Sequence, residues 1–215
     1  MIEAVLFDLD GTFADTAPDL GAALNHVLAL RGTPALPLAA IRTQASHGSP
    51  GLLKLGLGID ADAPEYNELR DAFLKYYETH ICHHTKLFAG MAALIAELDE
   101  RDLPWGIVTN KPHRYTVPLM EKLGYAKRAA CLVSGDTCEF AKPHPMPLLH
   151  AAHLMGVNPT RCLYLGDDLR DMQAAQAASM IGIIASYGYV DASSNTWPAA
   201  GSIQTPFALL RYLSL

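Results

Sequence analysis

Short apolar runs alternate with helical segments through the second part of the chain, and this alternation limits the possible folds most strongly. The apolar runs cover residues 104–109, 131–134, 162–166 and 180–185. The helical segments that precede them cover residues 90–101, 116–123, 146–155 and 172–178. Continuous apolar runs are typical of strands buried on both faces, and helical crossovers between such strands produce a parallel sheet. We therefore predict an α/β fold in which helices cover both faces of a parallel sheet.

The start of the chain contributes a further strand that ends at two carboxylates. The apolar run from Ala4 to Phe7 predicts this strand, and Asp8 and Asp10 follow it. Side chains two residues apart in an extended backbone point to the same side, so both carboxylates should face one place. At ~4 Å and an effective dielectric constant of ~20, two such charges repel by about 4 kcal/mol. A cation or a proton must offset this repulsion, unless the pair belongs to a simple acidic turn.

Residues 15–85 show no strand pattern and contain several helical segments instead. These are predicted to start at Thr16, to cover residues 38–46 and 51–57, and to start again at Pro64. Thr16 is a residue type that caps helices with its side chain. We therefore predict a core made of residues 1–14 and 86–215, with residues 15–85 as an inserted helical domain.

Two shorter segments have their own predictions. His47-Gly48-Ser49 separates two of the helical segments and is either a substrate loop or a helix-breaking turn. Residues 191–201 are polar and rich in turn residues, and a last helix is predicted at 206–213. The run of His80, Cys82, His83 and His84 lacks the second ligand pair of a structural zinc site, which argues against zinc.

Polar side chains follow several of the predicted strands, where ligands of open α/β sheets bind. They are Thr109 and Asn110, Lys142, and the acidic pair Asp167 and Asp171. A carboxylate can attack phosphorus, positioned donors stabilise the phosphoryl oxygens, and clustered hard oxygens suit Mg²⁺. Each group alone also fits a simpler role, as a helix cap, a surface lysine or an acidic helix N-terminus. Together they indicate phosphoryl transfer.

The order of these motifs resembles that of the haloacid-dehalogenase-like hydrolases. The motifs are D-x-D-G-T at residues 8–12, T-N at 109–110, K-P at 142–143 and G-D-x-x-x-D at 166–171. The chain looks like the phosphoglycolate phosphatase branch of that family. It is also similar to N-acetylmuramic acid 6-phosphate phosphatases, through Trp105-Gly106, G-D-D-L-R-D at 166–171 and Tyr187-Gly188-Tyr189. The resemblance implies a Rossmann-like parallel sheet core with an inserted helical cap domain that is mobile and selects the substrate.

The same resemblance implies roles for individual residues. Asp8 is expected to be the nucleophile and Asp10 the general acid/base. Thr109 and Lys142 would bind the phosphoryl group, with Asn110 nearby. Mg²⁺ would be held by the Asp8 carboxylate, the Asp10 backbone carbonyl and Asp167, and Asp171 would support the site.

The resulting prediction is a Mg²⁺-dependent phosphomonoesterase that acts on a small phosphorylated metabolite through an aspartyl-phosphate. An N-acetylmuramic acid 6-phosphate phosphatase is the alternative. A phosphomutase is disfavoured because the inserted domain has few basic residues to hold a second phosphate, namely Arg31, Arg42, Lys54, Arg70 and Lys75. A non-catalytic binding protein is disfavoured because every chemical position is present.

Composition limits the possible partners and compartments. The net charge is −6 and no basic run is long enough to follow a phosphate backbone, which argues against nucleic acid. No apolar stretch approaches the ~20 residues that span a bilayer, and no export segment precedes the first strand. Four cysteines without C-x-x-C spacing predict reduced thiols. We expect a cytoplasmic protein, monomeric or homodimeric, with no membrane partner.

Overall fold

A six-stranded parallel sheet forms the centre of the larger of two units in this computed structural model, which describes residues 1–214. Its strands are β1 (Ala4–Phe7), β4 (Trp105–Val108), β5 (Cys131–Val133), β6 (Cys162–Gly166), β7 (Ile181–Ala185) and β8 (Gly201–Ile203). Their order across the sheet is β5-β4-β1-β6-β7-β8, and every neighbouring pair is parallel. The predicted α/β fold with a parallel sheet is confirmed.

Strand β1 lies in the middle of the sheet because all four of its side chains are apolar and fully buried. Val5 is in register with Trp105 on one side and with Leu163 on the other. The backbone N–H of Asp8 continues the ladder by donating to the Leu165 carbonyl at 2.9 Å. The carboxylates that follow β1 therefore begin at the carboxyl edge, between two neighbouring strands.

Helices α5 (Met91–Glu100), α6 (His113–Leu123), α7 (Met146–Met155) and α8 (Leu169–Ala177) connect these strands. Apolar side chains of α7 and α8 pack on the sheet in a buried cluster that includes Leu148, Ala152 and Ala175. Gly124 and Gly156 end α6 and α7 in the left-handed conformation, which costs glycine least. Three predictions need correction here. Helix α6 begins at His113, not Thr116, and α8 begins at Leu169, not Met172. Residues Pro206–Tyr212 form a 3₁₀ helix.

Strand β8 was not predicted, since the sequence before it reads as polar and turn-rich. It is short, and only Ile203 among its three residues is buried. Its first residue, Gly201, belongs to the segment 191–201 that was described as polar and rich in turn residues. The register of Ile183 with Gly201 shows that pairing with β7, and not apolar character, extends the sheet here.

The chain divides into two units, Met1–Ala14 with Leu87–Leu215 and, separately, Asp15–Lys86. The second unit contains α1 (Ala17–Leu30), α2 (Leu38–Arg42), α3 (Gly48–Leu57) and α4 (Tyr66–Thr79). Two short strands, β2 (Ala14–Asp15) and β3 (Lys86–Leu87), form a small sheet of their own.

Three details of the helical unit differ from the predictions. The turn expected at His47-Gly48-Ser49 is the start of α3, which a 3₁₀ turn at Ala45–His47 precedes. Thr16 occupies the N-cap of α1, yet its side chain makes no capping hydrogen bond. Helix α4 begins at Tyr66, two residues after Pro64.

A buried carboxylate organises the end of this unit. Asp19, in the first turn of α1, accepts hydrogen bonds from the backbone N–H groups of His84 (2.8 Å) and Thr85 (3.0 Å). The Thr85 hydroxyl donates to it as well, at 2.6 Å. Asp19 therefore joins α1 to the segment that follows α4, and its role is structural.

Two further findings concern membrane-spanning helices and the cysteines. Within residues 1–214 no helix combines the length and the apolar character needed to cross a bilayer. All four cysteines are free, and Cys131 and Cys162 are buried. Burial raises the pKa of both thiols, to about 12 for Cys131 and about 11 for Cys162.

Candidate active site

A buried lysine connects the groups that follow several strands. The Lys142 ammonium lies 2.8 Å from Asp8 Oδ1 and 2.7 Å from Asp171 Oδ1, and its side chain is 3% exposed. It also donates to the Val108 carbonyl at 3.0 Å and lies 2.8 Å from the Tyr164 hydroxyl. Burial lowers the pKa of Lys142, but Asp171 and Asp8 outweigh that effect and leave the pKa raised. Lys142 is therefore a fixed cation beside the Asp8 carboxylate.

Asn110 positions this lysine through its backbone. Asn110 Nδ2 donates to the Lys142 carbonyl at 2.9 Å, and the Lys142 N–H donates to Asn110 Oδ1 at the same distance. The nitrogen and the oxygen of the side-chain amide both bond to the Lys142 backbone. Asn110 therefore contributes to the site by positioning Lys142. Neighbouring Thr109 is 3% exposed, and its hydroxyl accepts from the Lys111 N–H at 3.2 Å.

Asp167 is held at the same edge by donors from two other segments. Its Oδ1 accepts from the Thr12 hydroxyl at 2.7 Å and its Oδ2 from the Tyr189 N–H at 3.0 Å. A Cβ on Gly11, whose φ is +86°, would lie 2.1 Å from Asp167 Oδ2, so only glycine allows this approach. Burial raises the pKa of Asp167 well above its ordinary value, and Asp8 and Asp171 add to the increase.

Three of these carboxylates form one cluster. Asp8, Asp167 and Asp171 each offer an oxygen, and the oxygens lie within 4.8 Å of one another. Burial raises the pKa of Asp8 from 3.8 to about 7, with Lys142 opposing and Asp171 and Asp10 adding to the increase. The cluster is therefore unstable as a set of bare anions and needs positive charge near it.

The donor set fits a divalent metal ion. Four carboxylates (Asp8, Asp10, Asp167 and Asp171) face two ammonium groups (Lys111 and Lys142), which leaves two negative charges when all are ionised. Hard carboxylate oxygens in that excess suit a divalent cation of the Mg²⁺ type. Asp171 uses Oδ1 for Lys142 and Oδ2 for the Asp168 N–H at 3.1 Å.

Asp10 lies outside that cluster and pairs with Lys111. The Lys111 ammonium lies 2.9 Å and 3.2 Å from the two oxygens of Asp10. The two side chains are 7% and 14% exposed. The structure thus gives the predicted acid/base residue a cation of its own, next to the Asp8 site.

Three residues of the site were not singled out from the sequence. Two of them lie in or next to a motif, and the third does not. Lys111 directly follows Thr109 and Asn110, and Thr12 closes the D-x-D-G-T motif, so proximity to a motif could have identified both. Tyr164 gives no such signal, since it lies inside the apolar run of β6 and resembles a core residue. Its hydroxyl nevertheless lies 2.9 Å from the Val108 carbonyl and 3.1 Å from Asp171.

Known proteins resemble this chain over most of its length. Residues 5–185 match the haloacid dehalogenase-like hydrolase family. An N-acetylmuramic acid 6-phosphate phosphatase from Pseudomonas putida is 38% identical over 214 residues, covering 99% of this chain and 96% of that protein. A phosphoglycolate phosphatase from Xanthomonas campestris pv. campestris is 42% identical over 206 residues, covering 94% and 92%.

Solved structures agree on the fold. The crystal structure of a predicted phosphoglycolate phosphatase from Haemophilus somnus has a TM-score of 0.85 at 22% identity. The match covers 98% of this chain and 97% of that one. The resemblance inferred from the motifs is confirmed: the chain belongs to the haloacid dehalogenase-like hydrolase family, and it is a phosphatase.

Proposed function

We propose that this phosphatase requires Mg²⁺ and transfers the phosphoryl group of a small metabolite to Asp8 before hydrolysis. The observation that carries the proposal is the contact of Lys142 with Asp8 inside a cluster of carboxylates at the carboxyl edge of the sheet. A carboxylate nucleophile needs a neighbouring cation when a phosphate dianion approaches, and Lys142 supplies it.

We assign the residues roles that are consistent with their contacts. Lys142 holds Asp8 Oδ1, so the second oxygen of Asp8 attacks phosphorus as the bond to the leaving alkoxide breaks. Asp10 gives its proton to that alkoxide. Asp10 then takes a proton from the water that attacks the phosphorus of the aspartyl-phosphate, which releases phosphate and restores Asp8. The Thr109 hydroxyl would donate to a phosphoryl oxygen.

The metal site is proposed on the same residues. Asp8, Asp167 and the backbone carbonyl of Asp10 would hold Mg²⁺. Asp171 would support the site through Lys142. When bound, the ion would neutralise charge on the phosphoryl oxygens. Thr12 and the Tyr189 N–H fix the orientation of the Asp167 carboxylate that would face it.

The substrate is proposed from the relatives. A phosphoglycolate phosphatase at 42% identity supports a small phosphorylated acid such as phosphoglycolate. The N-acetylmuramic acid 6-phosphate phosphatase at 38% identity, matched over 99% of this chain, supports the alternative sugar phosphate. We propose residues 15–85 as a cap that selects between such substrates, with the observed unit ending at Lys86.

The setting of the enzyme is also proposed. Free thiols fit the reducing cytoplasm. A net charge of −6 fits a protein that acts on metabolites without nucleic acid or membrane partners. A monomer or a homodimer is the proposed assembly.

Rapid-quench labelling tests the mechanism. Turnover of a radiolabelled aryl phosphate should leave label on Asp8 after acid quench, and excess chelator should abolish turnover until Mg²⁺ is added back. Turnover without label on Asp8 would contradict the covalent step, and full turnover in chelator would contradict the metal. A panel of phosphorylated metabolites, ranked by kcat/KM, then identifies the substrate.

A further inference from the structure

A second, largely covered ammonium lies at the catalytic edge, and the mechanism above does not use it. Lys111 is 7% exposed and contacts both oxygens of Asp10, at 2.9 Å and 3.2 Å. The Lys142 ammonium already donates hydrogen bonds to Asp8, Asp171 and the Val108 carbonyl. The two lysines therefore mark two sides of the site, one beside the nucleophile and one beside the acid.

The position of Lys111 can be related to the leaving group. A general acid must lie within roughly 2.6–3.2 Å of the oxygen that it protonates. Lys111 Nζ is 2.9 Å from Asp10 Oδ1, so it lies within about 6 Å of the leaving oxygen. A carboxylate on the carbon next to that oxygen has its own oxygens roughly 3–4 Å away from it, by ordinary bond lengths. Such a carboxylate can meet the Lys111 ammonium when it lies on the same side of the leaving oxygen.

The negative charge of the site explains why a substrate carboxylate would need Lys111. The edge already contains four aspartates, and a buried carboxylate without a cationic partner is strongly disfavoured. A substrate that brings another carboxylate therefore needs a cation on the side of its leaving group. A neutral alcohol leaving group makes no such demand, and Lys111 offers it no comparable gain.

We infer that Lys111 binds a carboxylate attached next to the ester oxygen, and so selects phosphorylated 2-hydroxy acids over neutral phosphate esters. This rests on the proposed function, because it takes Asp10 as the group that contacts the leaving oxygen. The contact is an ammonium–carboxylate pair and involves no bond breaking. Lys111 is thereby a specificity residue, whereas Lys142 serves the phosphoryl group that all substrates share.

A simpler role for Lys111 is to balance the charge of Asp10. That role predicts an equal loss for every substrate when the ammonium is removed, since Asp10 acts on every leaving group. Selection of a carboxylate predicts an unequal loss. The two roles are therefore separated by substrates that differ in the carboxylate alone.

The test compares phosphoglycolate with 2-hydroxyethyl phosphate, which replaces the carboxylate by a neutral hydroxymethyl group. In Lys111→Gln, kcat/KM for phosphoglycolate should fall about 10- to 100-fold further than that for 2-hydroxyethyl phosphate, the range of one charge-assisted hydrogen bond. Lys111→Arg should keep most of the preference, because it keeps the charge. Lys127→Gln removes an exposed lysine and should leave kcat/KM unchanged for both substrates.

The wild-type enzyme tests the inference even if Lys111→Gln does not fold. It should prefer phosphoglycolate to 2-hydroxyethyl phosphate by at least about 10-fold in kcat/KM. Glycolate should inhibit aryl phosphate turnover more strongly than ethylene glycol. Equal rates for both esters would overturn the inference, as would an equal loss in Lys111→Gln or activity confined to sugar phosphates. The absence of phosphatase activity on every ester, aryl phosphate included, would instead reject the proposed function, as would the labelling and chelator outcomes given above.

Discussion

Both units bury aspartates, but they satisfy them in different ways. Asp19 in the helical unit is 1% exposed, and two N–H groups and a hydroxyl donate to its carboxylate. In the other unit Asp8, Asp167 and Asp171 crowd within 4.8 Å of one another. Burial and this mutual repulsion raise the pKa of Asp8 and Asp167.

The difference teaches what distinguishes a site from a structural contact. Burial alone does not distinguish a functional site from a structural contact, since Asp19 and Asp167 are equally buried. A single carboxylate with neutral donors stabilises the fold. A cluster with more negative than positive charge loses stability unless something binds to it. The following variants test that distinction, from the largest expected effect to the smallest.

Asp8→Asn should lower turnover of an aryl phosphate by more than about 10⁴-fold, the order expected when a covalent nucleophile is removed. The amide is isosteric and removes one charge from the crowded cluster, so the folded state should persist. Steady-state rates and circular dichroism measure the two effects. Asp102→Asn, on an exposed residue of the same unit, is the control. Turnover by Asp8→Asn near the wild-type rate would show that the cluster is structural, like Asp19.

The metal-free protein should lose stability as pH rises, in contrast to a protein with paired carboxylates. Burial raises the pKa of Asp8 from 3.8 to about 7, so between about pH 4 and pH 7 the folded chain keeps a proton that the unfolded chain releases. The free energy of unfolding therefore falls through that window, by an amount on the order of a few kcal/mol. The raised pKa of Asp167 acts in the same direction.

Urea unfolding of chelator-treated protein at pH 5 and pH 8 measures this slope. Added Mg²⁺ should restore stability more at pH 8 than at pH 5, because protons compete with the metal at low pH. At a hundredfold excess over Kd the melting temperature should rise by roughly 5–10 °C. An equal rise at both pH values would show that these carboxylates do not bind the ion.

Asp19→Asn should act on stability alone. Its carboxylate accepts three hydrogen bonds, and the amide can replace only part of them, so the free energy of unfolding should fall by about 2–3 kcal/mol. Turnover per folded molecule should stay near that of the wild type. Chemical denaturation and active-site titration separate the two quantities. A large loss of turnover with unchanged stability would assign Asp19 to the site and remove the contrast.

Asn110→Ala should give the smallest effect of the four. It removes the two hydrogen bonds that hold the Lys142 backbone, each worth about 0.5–1.5 kcal/mol, so kcat should fall roughly 10-fold. Asn195→Ala, on an exposed asparagine, is the matched control. An unchanged kcat with a raised KM would instead indicate that Asn110 contacts the substrate.

The sequence predicts the frame of this site well, because strand ends are local features. Apolar runs that end in Asp8, Thr109 and Asp167 place these residues at one edge as soon as the sheet is parallel. The contact of Lys142 with Asp8 is different, since 134 residues separate them. No local pattern reports the contact itself: the strand order brings both residues to one edge, and the family resemblance implies only that Lys142 binds the phosphoryl group.

Side-chain partners are the part that the sequence predicts least. Asn110 was placed near the phosphoryl group, yet its amide is paired with the backbone of Lys142. Tyr164 looked like a core residue because the run around it is apolar. Its position in β6 nevertheless brings its hydroxyl to Lys142. Both depend on long-range geometry, which periodicity and motif spacing do not describe.

The position of β1 has a consequence for how the chain folds during synthesis. This strand precedes all others, but its two neighbours, β4 and β6, begin only at Trp105 and Cys162. Until Gly166 has left the ribosome, the central strand lacks one neighbour and exposes an unpaired edge, which favours association with other chains. A chain that stops before Asp167 therefore contains its nucleophile but cannot build the pocket around it.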